Sequence, residues 1–235
     1  MTAPVVSITG MQKNYSGLRP LRIRQLDIAA RERVALGGLD GPAAEIMVNL
    51  VTGATLPDEG VIRVFGQSTA GIVDGDAWLA SLDRFGIVSA RAVILEGSTL
   101  LQNLALPFTL EIDPVPPSVI AQVTSLARDC GIGAEHLSHR AGDVPPHVRV
   151  RAHLARALAL RPELLLVEHP TADVGEGERL PLARDIAIVL EGRGSAALIL
   201  TLDVEFAEAV GHRSLTLQPA TGALVSWKTK RGWFR

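Results

Sequence analysis

Apolar residues along this chain either alternate with polar ones or run uninterrupted, and both patterns predict strands. Alternation over a few residues is typical of a half-buried strand. Unbroken apolar runs such as LLLV and AALIL are typical of strands buried in a parallel sheet. The strands predicted in this way cover residues 5–9, 21–28, 34–36, 61–64, 85–88, 164–167, 196–200, 214–218 and 223–227.

Apolar residues recur at helical spacing between these strands. A helix carrying Ile46, Met47, Leu50 and Val51 is expected to end at Gly53. Further helices are predicted at 100–105, before Pro107, and at 119–127, 150–160 and 182–190. Buried strands, glycine turns and crossover helices in this order predict an α/β core with a parallel sheet.

The middle of the chain differs from its two ends. Residues 88–147 contain short helices interrupted by the proline-rich PVPPS at 114–118. We interpret this segment as a helical lobe inserted into a core formed by residues 1–87 and 148–235. The sequence shows no internal repeat, so we predict a single domain with two lobes.

Composition narrows the class of protein. The 235 residues are 47% hydrophobic with a net charge of −2, which is typical of a globular α/β protein and argues against a nucleic-acid partner. No apolar run approaches the roughly 20 residues of a membrane span. The start MTAPVVSITG lacks the features of a secretory signal, and the single Cys130 excludes an internal disulfide. We therefore expect a cytoplasmic location.

Lysine is nearly absent from the chain. It occurs only at Lys13, Lys228 and Lys230, and every other basic residue is arginine. No lysine is therefore available between residues 13 and 228, which matters for any motif that needs one.

Two long stretches are similar in sequence to the nucleotide-binding subunits of ABC transporters. They are ARALALRPELLLVEHPTA at 155–172 and LVTGATLPDEGVIRVFGQ at 50–67, and NLALPF at 103–108 resembles the branches that export lipids and lipoproteins. The order of elements agrees over nearly the whole chain. The resemblance implies a P-loop NTPase-like ABC ATPase core with amino-terminal antiparallel strands and an inserted helical lobe.

The phosphate loop of that family reads G-x-x-x-x-G-K-[ST], in which backbone amides and a lysine hold phosphates and the hydroxyl binds magnesium. The matching residues run from Gly38 to Glu45 and retain Gly38 and Gly41. Ala44 stands at the lysine and Glu45 at the hydroxyl residue, and a carboxylate there repels phosphate by about 1 kcal/mol or more. The loop is either a vestigial nucleotide loop or a plain packing turn, and we favour the packing turn.

The family's magnesium ligand and catalytic glutamate follow the buried strand at 164–167. The resemblance places Glu168 and His169 at these positions. Glu168 is a weak candidate for a hydrated magnesium, and His169 for a general base. We favour a structural role for His169, because the site lacks its lysine.

The remaining family motifs are also altered. The LSGGQ signature, which serves the partner subunit's nucleotide, corresponds to VPPHV at 144–148. Ala90 stands at the Q-loop glutamine, Leu202 at the switch histidine, and 172–175 departs from the D-loop. Tyr15 is at the position of the adenine-stacking aromatic, although a tyrosine there is also consistent with packing.

These replacements predict a degenerate member of the family. We expect ATP hydrolysis to be absent or very weak, with no catalytic residue among Ala44, Glu45, Glu168, His169 and Leu202, and no metal. We also expect no cofactor, and ATP with magnesium only if hydrolysis uses an unconventional site. Binding residues are at best vestigial at Tyr15, Gly38 and Gly41.

The resemblance also implies partners. We expect a structural or regulatory subunit on the cytoplasmic face of the inner membrane that contacts a permease through the helical lobe. It would pair with itself or with another ABC ATPase subunit. One alternative is an ATP-hydrolysing subunit that uses Tyr15, Glu168 and His169, and another is a soluble scaffold module. The basic and aromatic tail at 228–235 either touches an acidic lipid surface or a membrane-subunit loop, or is solvated.

Overall fold

Two β-sheets organise the chain in the computed structural model, which describes residues 3–72 and 74–229. The ten strands are β1 Val6–Lys13, β2 Leu21–Ile28, β3 Arg33–Gly37, β4 Glu59–Val64, β5 Gln67–Ser68, β6 Phe85–Val88, β7 Leu164–Glu168, β8 Ala196–Leu200, β9 Arg213–Gln218 and β10 Ala223–Ser226. The amino-terminal sheet is antiparallel, with the strand order β2-β1-β4-β5.

The second sheet forms the centre of the molecule. Its strand order is β10-β9-β3-β8-β7-β6. The five strands from β9 to β6 are parallel, and only the edge pair of β9 and β10 is antiparallel. Because parallel strands end at the same edge, the loops after β3, β6, β7 and β8 meet there, which is where ligands bind in open α/β sheets.

Helices cover both faces of this sheet. They are α1 Gly41–Val51, α2 Gly75–Leu82, α3 Leu100–Ala105, α4 Pro117–Asp129, α5 Pro146–Leu158, α6 Glu176–Arg193 and α7 Val204–Val210. Short 3-10 helices lie at Thr69–Gly71 and Ala134–Ser138. The structure extends three of the predicted helices: α4 spans Pro117–Asp129, α5 begins at Pro146, and α6 spans Glu176–Arg193 with Pro181 inside it.

The central strands are buried on both faces, which is why their sequences are uninterrupted apolar runs. In β7, Leu164 and Leu166 pack towards α1 and the amino-terminal sheet. Leu165 and Val167 of the same strand pack on the opposite face, against the other helices. The period-two alternation of a strand therefore divides one apolar run between two cores.

The helices between β6 and β7 share the second of these cores. Leu104 of α3, Val123 of α4 and Leu154 of α5 are completely buried in the same cluster as Leu165. Thr99 and Gln102 form a reciprocal capping box at the start of α3, which satisfies two amides that would otherwise lack partners.

No helix within the described residues is long and apolar enough to cross a membrane. The predicted contact of the tail at 228–235 with a lipid surface or a membrane subunit depends mainly on residues 230–235, which lie outside the described part of the chain.

Candidate functional site

The loop after β3 turns sharply into α1. Gly38 has a positive φ of 82°, and a Cβ at this position would lie 2.9 Å from the carbonyl oxygen of Leu217, so only glycine fits. Asp40 is the N-cap of α1, and its carboxylate accepts a hydrogen bond from the amide of Ala43 at 2.9 Å. The carbonyl of Asp40 accepts from the amide of Ala44 at 2.8 Å.

This capping changes what the helix start offers to an anion. Pro42 has no amide hydrogen, and the amides of Ala43 and Ala44 already have acceptors on Asp40. The carboxylate of Asp40 also places a negative charge where the helix dipole would favour an anionic ligand. The side chain of Ala44 is completely buried in the core beneath the loop.

An arginine links the start of α1 to the end of β7. Nη1 of Arg91 lies 2.6 Å from Oε1 of Glu45, and Nη2 lies 2.6 Å from Oε1 of Glu168. Glu168 is only 8% exposed, and its Oε2 also accepts from the hydroxyl of Ser89 at 3.0 Å. That hydroxyl in turn accepts from the amide of Arg91 at 3.1 Å.

Arg91 therefore joins three segments that are distant in sequence. The guanidinium pairs with two carboxylates at the carboxyl-terminal edge of the sheet, which gives the buried Glu168 a partner. Arg91 lies in the loop that follows β6 and precedes the helices of the middle segment.

His169 follows Glu168 in a strained conformation. Its backbone φ is 41°, which is uncommon for a residue other than glycine. Its amide donates to the carbonyl of Leu200 at 2.8 Å, which ties the end of β7 to the end of β8. The buried Nε2 atom of its ring has no hydrogen-bond partner among the described residues.

Six of the predicted site residues line two grooves, and Gly41, Ala44 and Glu45 line neither of them. Tyr15, Gly38 and Leu202 line one groove of about 620 Å³. Glu168, His169 and Ala90 line another of about 460 Å³, together with Arg91. The altered loop and strand positions are thus close to the same sheet edge, whereas Tyr15 and His169 do not share a groove.

Tyr15 is held by its own loop. A Cβ at Gly17 would lie 2.5 Å from the tyrosine ring, so the ring folds over Gly17. Burial and the negative charge of Asp40 raise the pKa of the Tyr15 hydroxyl. The ring also packs at the edge of the core beneath α1.

The second groove contains a histidine that sequence reasoning did not identify. His153 on α5 is 7% exposed, and burial with the nearby charges of Arg156 and Arg149 lowers its pKa to about 4. Its ring is therefore neutral near pH 7. Pro146, the first residue of α5, lies in the same groove, and Pro145 caps the helix without a side-chain hydrogen bond.

No family model matches the chain. The lipoprotein-releasing system ATP-binding protein LolD of Anaeromyxobacter dehalogenans is 30% identical over 179 residues, which are 74% of this chain and 74% of that protein. The ABC transporter ATP-binding protein YtrE of Bacillus subtilis is 26% identical, over 82% of each chain. This chain belongs to the ABC transporter ATP-binding subunits.

Some members of the family are longer than this chain. The Fe(3+) ions import ATP-binding protein FbpC of Mesorhizobium japonicum is 26% identical over 84% of this chain, which spans only 53% of FbpC.

Solved ABC cassettes share the fold. The post-hydrolysis ATP-binding cassette MJ0796, bound to ADP and Pi, superposes with a TM-score of 0.75 at 20% identity, over 97% of this chain and 100% of that one. CbiO1 from Clostridium perfringens superposes with a TM-score of 0.75 at 16% identity, over 95% of this chain and 88% of that one. The predicted fold class, including the antiparallel amino-terminal strands, is confirmed.

One expectation is wrong. The altered motifs led us to expect no cofactor, but the relatives are ATP-binding proteins, and ABC ATPases use ATP with Mg²⁺. The positions that are altered bear on how phosphates and metal are held, and they do not by themselves exclude the nucleotide.

The side chains of this chain nevertheless do not fit the family's way of holding Mg²⁺ and phosphate. The lysine position is the buried Ala44, and the helix-start amides of Ala43 and Ala44 are occupied. The residues at the two metal-ligand positions, Glu45 and Glu168, are both paired with Arg91.

Arg91 is the residue that sequence reasoning missed. The family motif predicts a lysine as the phosphate-binding cation, and Arg91, next to Ala90, lies outside the motif positions. The signal that identifies it is charge balance: two glutamates at one sheet edge, one of them after a buried strand, require a nearby cation.

Proposed function

We propose that this chain is a subunit of an ABC transport complex whose own hydrolysis of ATP is absent or very slow. It acts as a structural or regulatory partner of a membrane permease. Under this proposal the chain can still bind ATP. The step that is absent or very slow is the hydrolysis that follows binding.

One observation carries the proposal. Arg91 is the only basic side chain within the described residues that forms an ion pair with Glu45 or Glu168, and it pairs with both of them. Hydrolysis in this family depends on a positive charge on the phosphates and a carboxylate or similar group that orients water. Here the cation is paired with the carboxylates instead.

The start of α5 also supports the proposal, because this part of a family member binds the nucleotide of the partner subunit. Family members bind a partner's nucleotide with the hydroxyl and free amides of the signature motif. At that position Pro145 and Pro146 carry neither a hydroxyl nor an amide hydrogen. A second subunit paired head to tail with this chain would therefore receive little help with its own nucleotide.

The geometry gives little support to hydrolysis at an unconventional site. Such a site would use Glu168 to hold the metal, but Glu168 is already paired with Arg91 and hydrogen-bonded to Ser89.

We propose a two-lobe division for the complex, with a core of residues 1–87 and 148–235 and a lobe of residues 88–147. The lobe contacts the permease at the cytoplasmic face of the inner membrane. The core pairs with a second subunit, by analogy with the dimeric structure of the related cassette MJ0796. Leu110, which is 89% exposed, is an accessible apolar residue within this lobe.

Photo-crosslinking in membranes tests this assignment. A photoreactive amino acid replaces Leu110 in the full chain, and a matched variant carries it at Leu56, an exposed residue of the core. We expect a crosslink to an integral membrane protein from Leu110 and none from Leu56. Crosslinks only to soluble proteins from both positions would instead support the soluble scaffold.

A further inference from the structure

Glu45 and Glu168 both contact the guanidinium of Arg91, and the hydroxyl of Ser89 donates to Glu168. Glu45 lies in the first turns of α1, Glu168 at the end of β7, and Ser89 directly after β6. Carboxylate and hydroxyl oxygens from separate segments are the ligands that small divalent cations prefer. Here the two carboxylates have a guanidinium as their cation.

The guanidinium of Arg91 contacts oxygen atoms of both carboxylates. Its Nη1 donates to Glu45, while its Nη2 and Nε lie 2.6 and 3.3 Å from the two oxygens of Glu168. Both carboxylates thus share one delocalised positive charge, whose planar fork matches carboxylate geometry. A cation cannot reach Glu168 without displacing this guanidinium.

The three side chains of this cluster differ in solvent exposure. Glu168 is 8% exposed, whereas the side chains of Arg91 and Glu45 are 47% and 46% exposed. Arg91 therefore approaches from the solvent side and has room to move away, while Glu168 cannot become solvated. A buried carboxylate that loses its partner must bind another cation or a proton.

We propose that Arg91 is a built-in cation that competes with divalent metal ions for Glu45 and Glu168. The guanidinium holds the start of the middle helical segment to α1 and β7, and a metal ion must displace it to bind these two carboxylates. Removing it uncovers a divalent-cation site in the chain. This inference rests on the same Arg91 contacts as the proposal on hydrolysis, but its test measures metal binding without nucleotide, so the two can fail separately.

Manganese binding to the full chain, without nucleotide, tests the competition. Free Mn²⁺ is measured by electron paramagnetic resonance during titration of the wild type, Arg91→Gln and Arg91→Lys. We expect Arg91→Gln to bind Mn²⁺ at least about tenfold more tightly than the wild type, because two carboxylates become available. Arg91→Lys, which retains a positive charge, should remain close to the wild type.

Two further variants define the ligands. In the double variant Arg91→Gln with Glu168→Gln, the gain in Mn²⁺ affinity should disappear. Arg63→Gln removes an exposed arginine from β4 of the other sheet and should bind Mn²⁺ as the wild type does. Equal affinity of the wild type and Arg91→Gln would overturn the proposal.

The wild type provides a test that does not depend on an Arg91 variant. At matched ionic strength, about 10 mM MgCl₂, which exceeds the ~0.1 to 1 mM dissociation constants of weak divalent sites, should leave its thermal midpoint unchanged, since Arg91 already occupies the carboxylates. A midpoint that Mg²⁺ raises in the wild type but not in Glu168→Gln would contradict the competition.

Discussion

Arg91 donates to both carboxylate oxygens of Glu168, at 2.6 Å through Nη2 and at 3.3 Å through Nε. This forked contact joins the end of β6 to the end of β7 at the edge where the altered family motifs converge. The same guanidinium reaches Glu45 in α1, so a single side chain ties together the three segments that surround the site.

Loss of the Arg91 side chain should weaken the fold. We expect Arg91→Gln to lower the free energy of unfolding by about 2 kcal/mol, because Glu168 is left buried without a full partner and the exposure of Arg91 moderates the cost. Urea denaturation measures the change. The control is Glu163→Gln in the exposed pair with Arg84, where we expect a loss below about 1 kcal/mol. Equal losses in both variants would contradict this account of Glu168.

The cap at Asp40 should contribute to stability through its side chain. Asp40→Ala removes the acceptor for the Ala43 amide, and we expect a loss of about 1 kcal/mol in urea denaturation. Asp40→Asn preserves an acceptor and should lose much less. Asp74→Ala removes the corresponding cap of α2, a helix with no buried residue, so its effect on global unfolding should be smaller. A larger loss for Asp74→Ala would be inconsistent with this ranking.

His169 should be replaceable by glycine. The backbone φ of 41° costs a non-glycine residue about 1 kcal/mol, and the buried Nε2 lacks a partner among the described residues. We expect His169→Gly to change the free energy of unfolding by less than about 1 kcal/mol, with either sign. His169→Val should destabilise the protein by about 1 to 2 kcal/mol, because β-branching disfavours this conformation. Thermal denaturation of the two variants distinguishes a strained position from a tightly packed one.

His153 should make stability depend on pH. Its pKa in the folded protein is about 4, below the ordinary value of 6.5, so the unfolded chain takes up a proton first as pH falls. The stability associated with the neutral ring is therefore complete above pH 6.5 and is lost between pH 6.5 and 4, up to about 3 kcal/mol. Urea denaturation across this range should show a flatter profile for His153→Leu than for the wild type.

The control for this profile is His139→Gln, which removes an exposed histidine. Its pH dependence should follow that of the wild type. If His139→Gln flattened the profile as much as His153→Leu does, the assignment to the buried ring would be wrong.

The sequence predicts the central sheet well because buried strands have an unambiguous pattern. The predicted strands at 85–88 and 196–200 coincide with β6 and β8 of that sheet, and the predicted strand at 21–28 coincides with β2 of the amino-terminal sheet. The helices α2 and α7 were not predicted. No residue of α2 is buried, so it lacks the apolar stripe on which such predictions depend. The seven residues of α7 are too few to show a period clearly.

The site was less predictable than the fold. Alignment to the family's motifs located Ala44, Glu45 and Glu168, and the structure brings the two glutamates to one sheet edge. Their shared partner could not be inferred from motif spacing, because Arg91 stands at none of the motif positions that we searched. The contact depends on how β6 and β7 pair in space, which local sequence does not encode.

Turnover of ATP by the purified full chain, in the presence of Mg²⁺, tests the central claim most directly. Phosphate release is measured beside the LolD relative of Anaeromyxobacter dehalogenans and beside Glu168→Gln. We expect a rate at least about a hundredfold below that of LolD, with no difference between the wild type and Glu168→Gln, because the groups that stabilise the transferring phosphate are replaced. A wild-type rate within about tenfold of LolD that Glu168→Gln abolishes would contradict the claim.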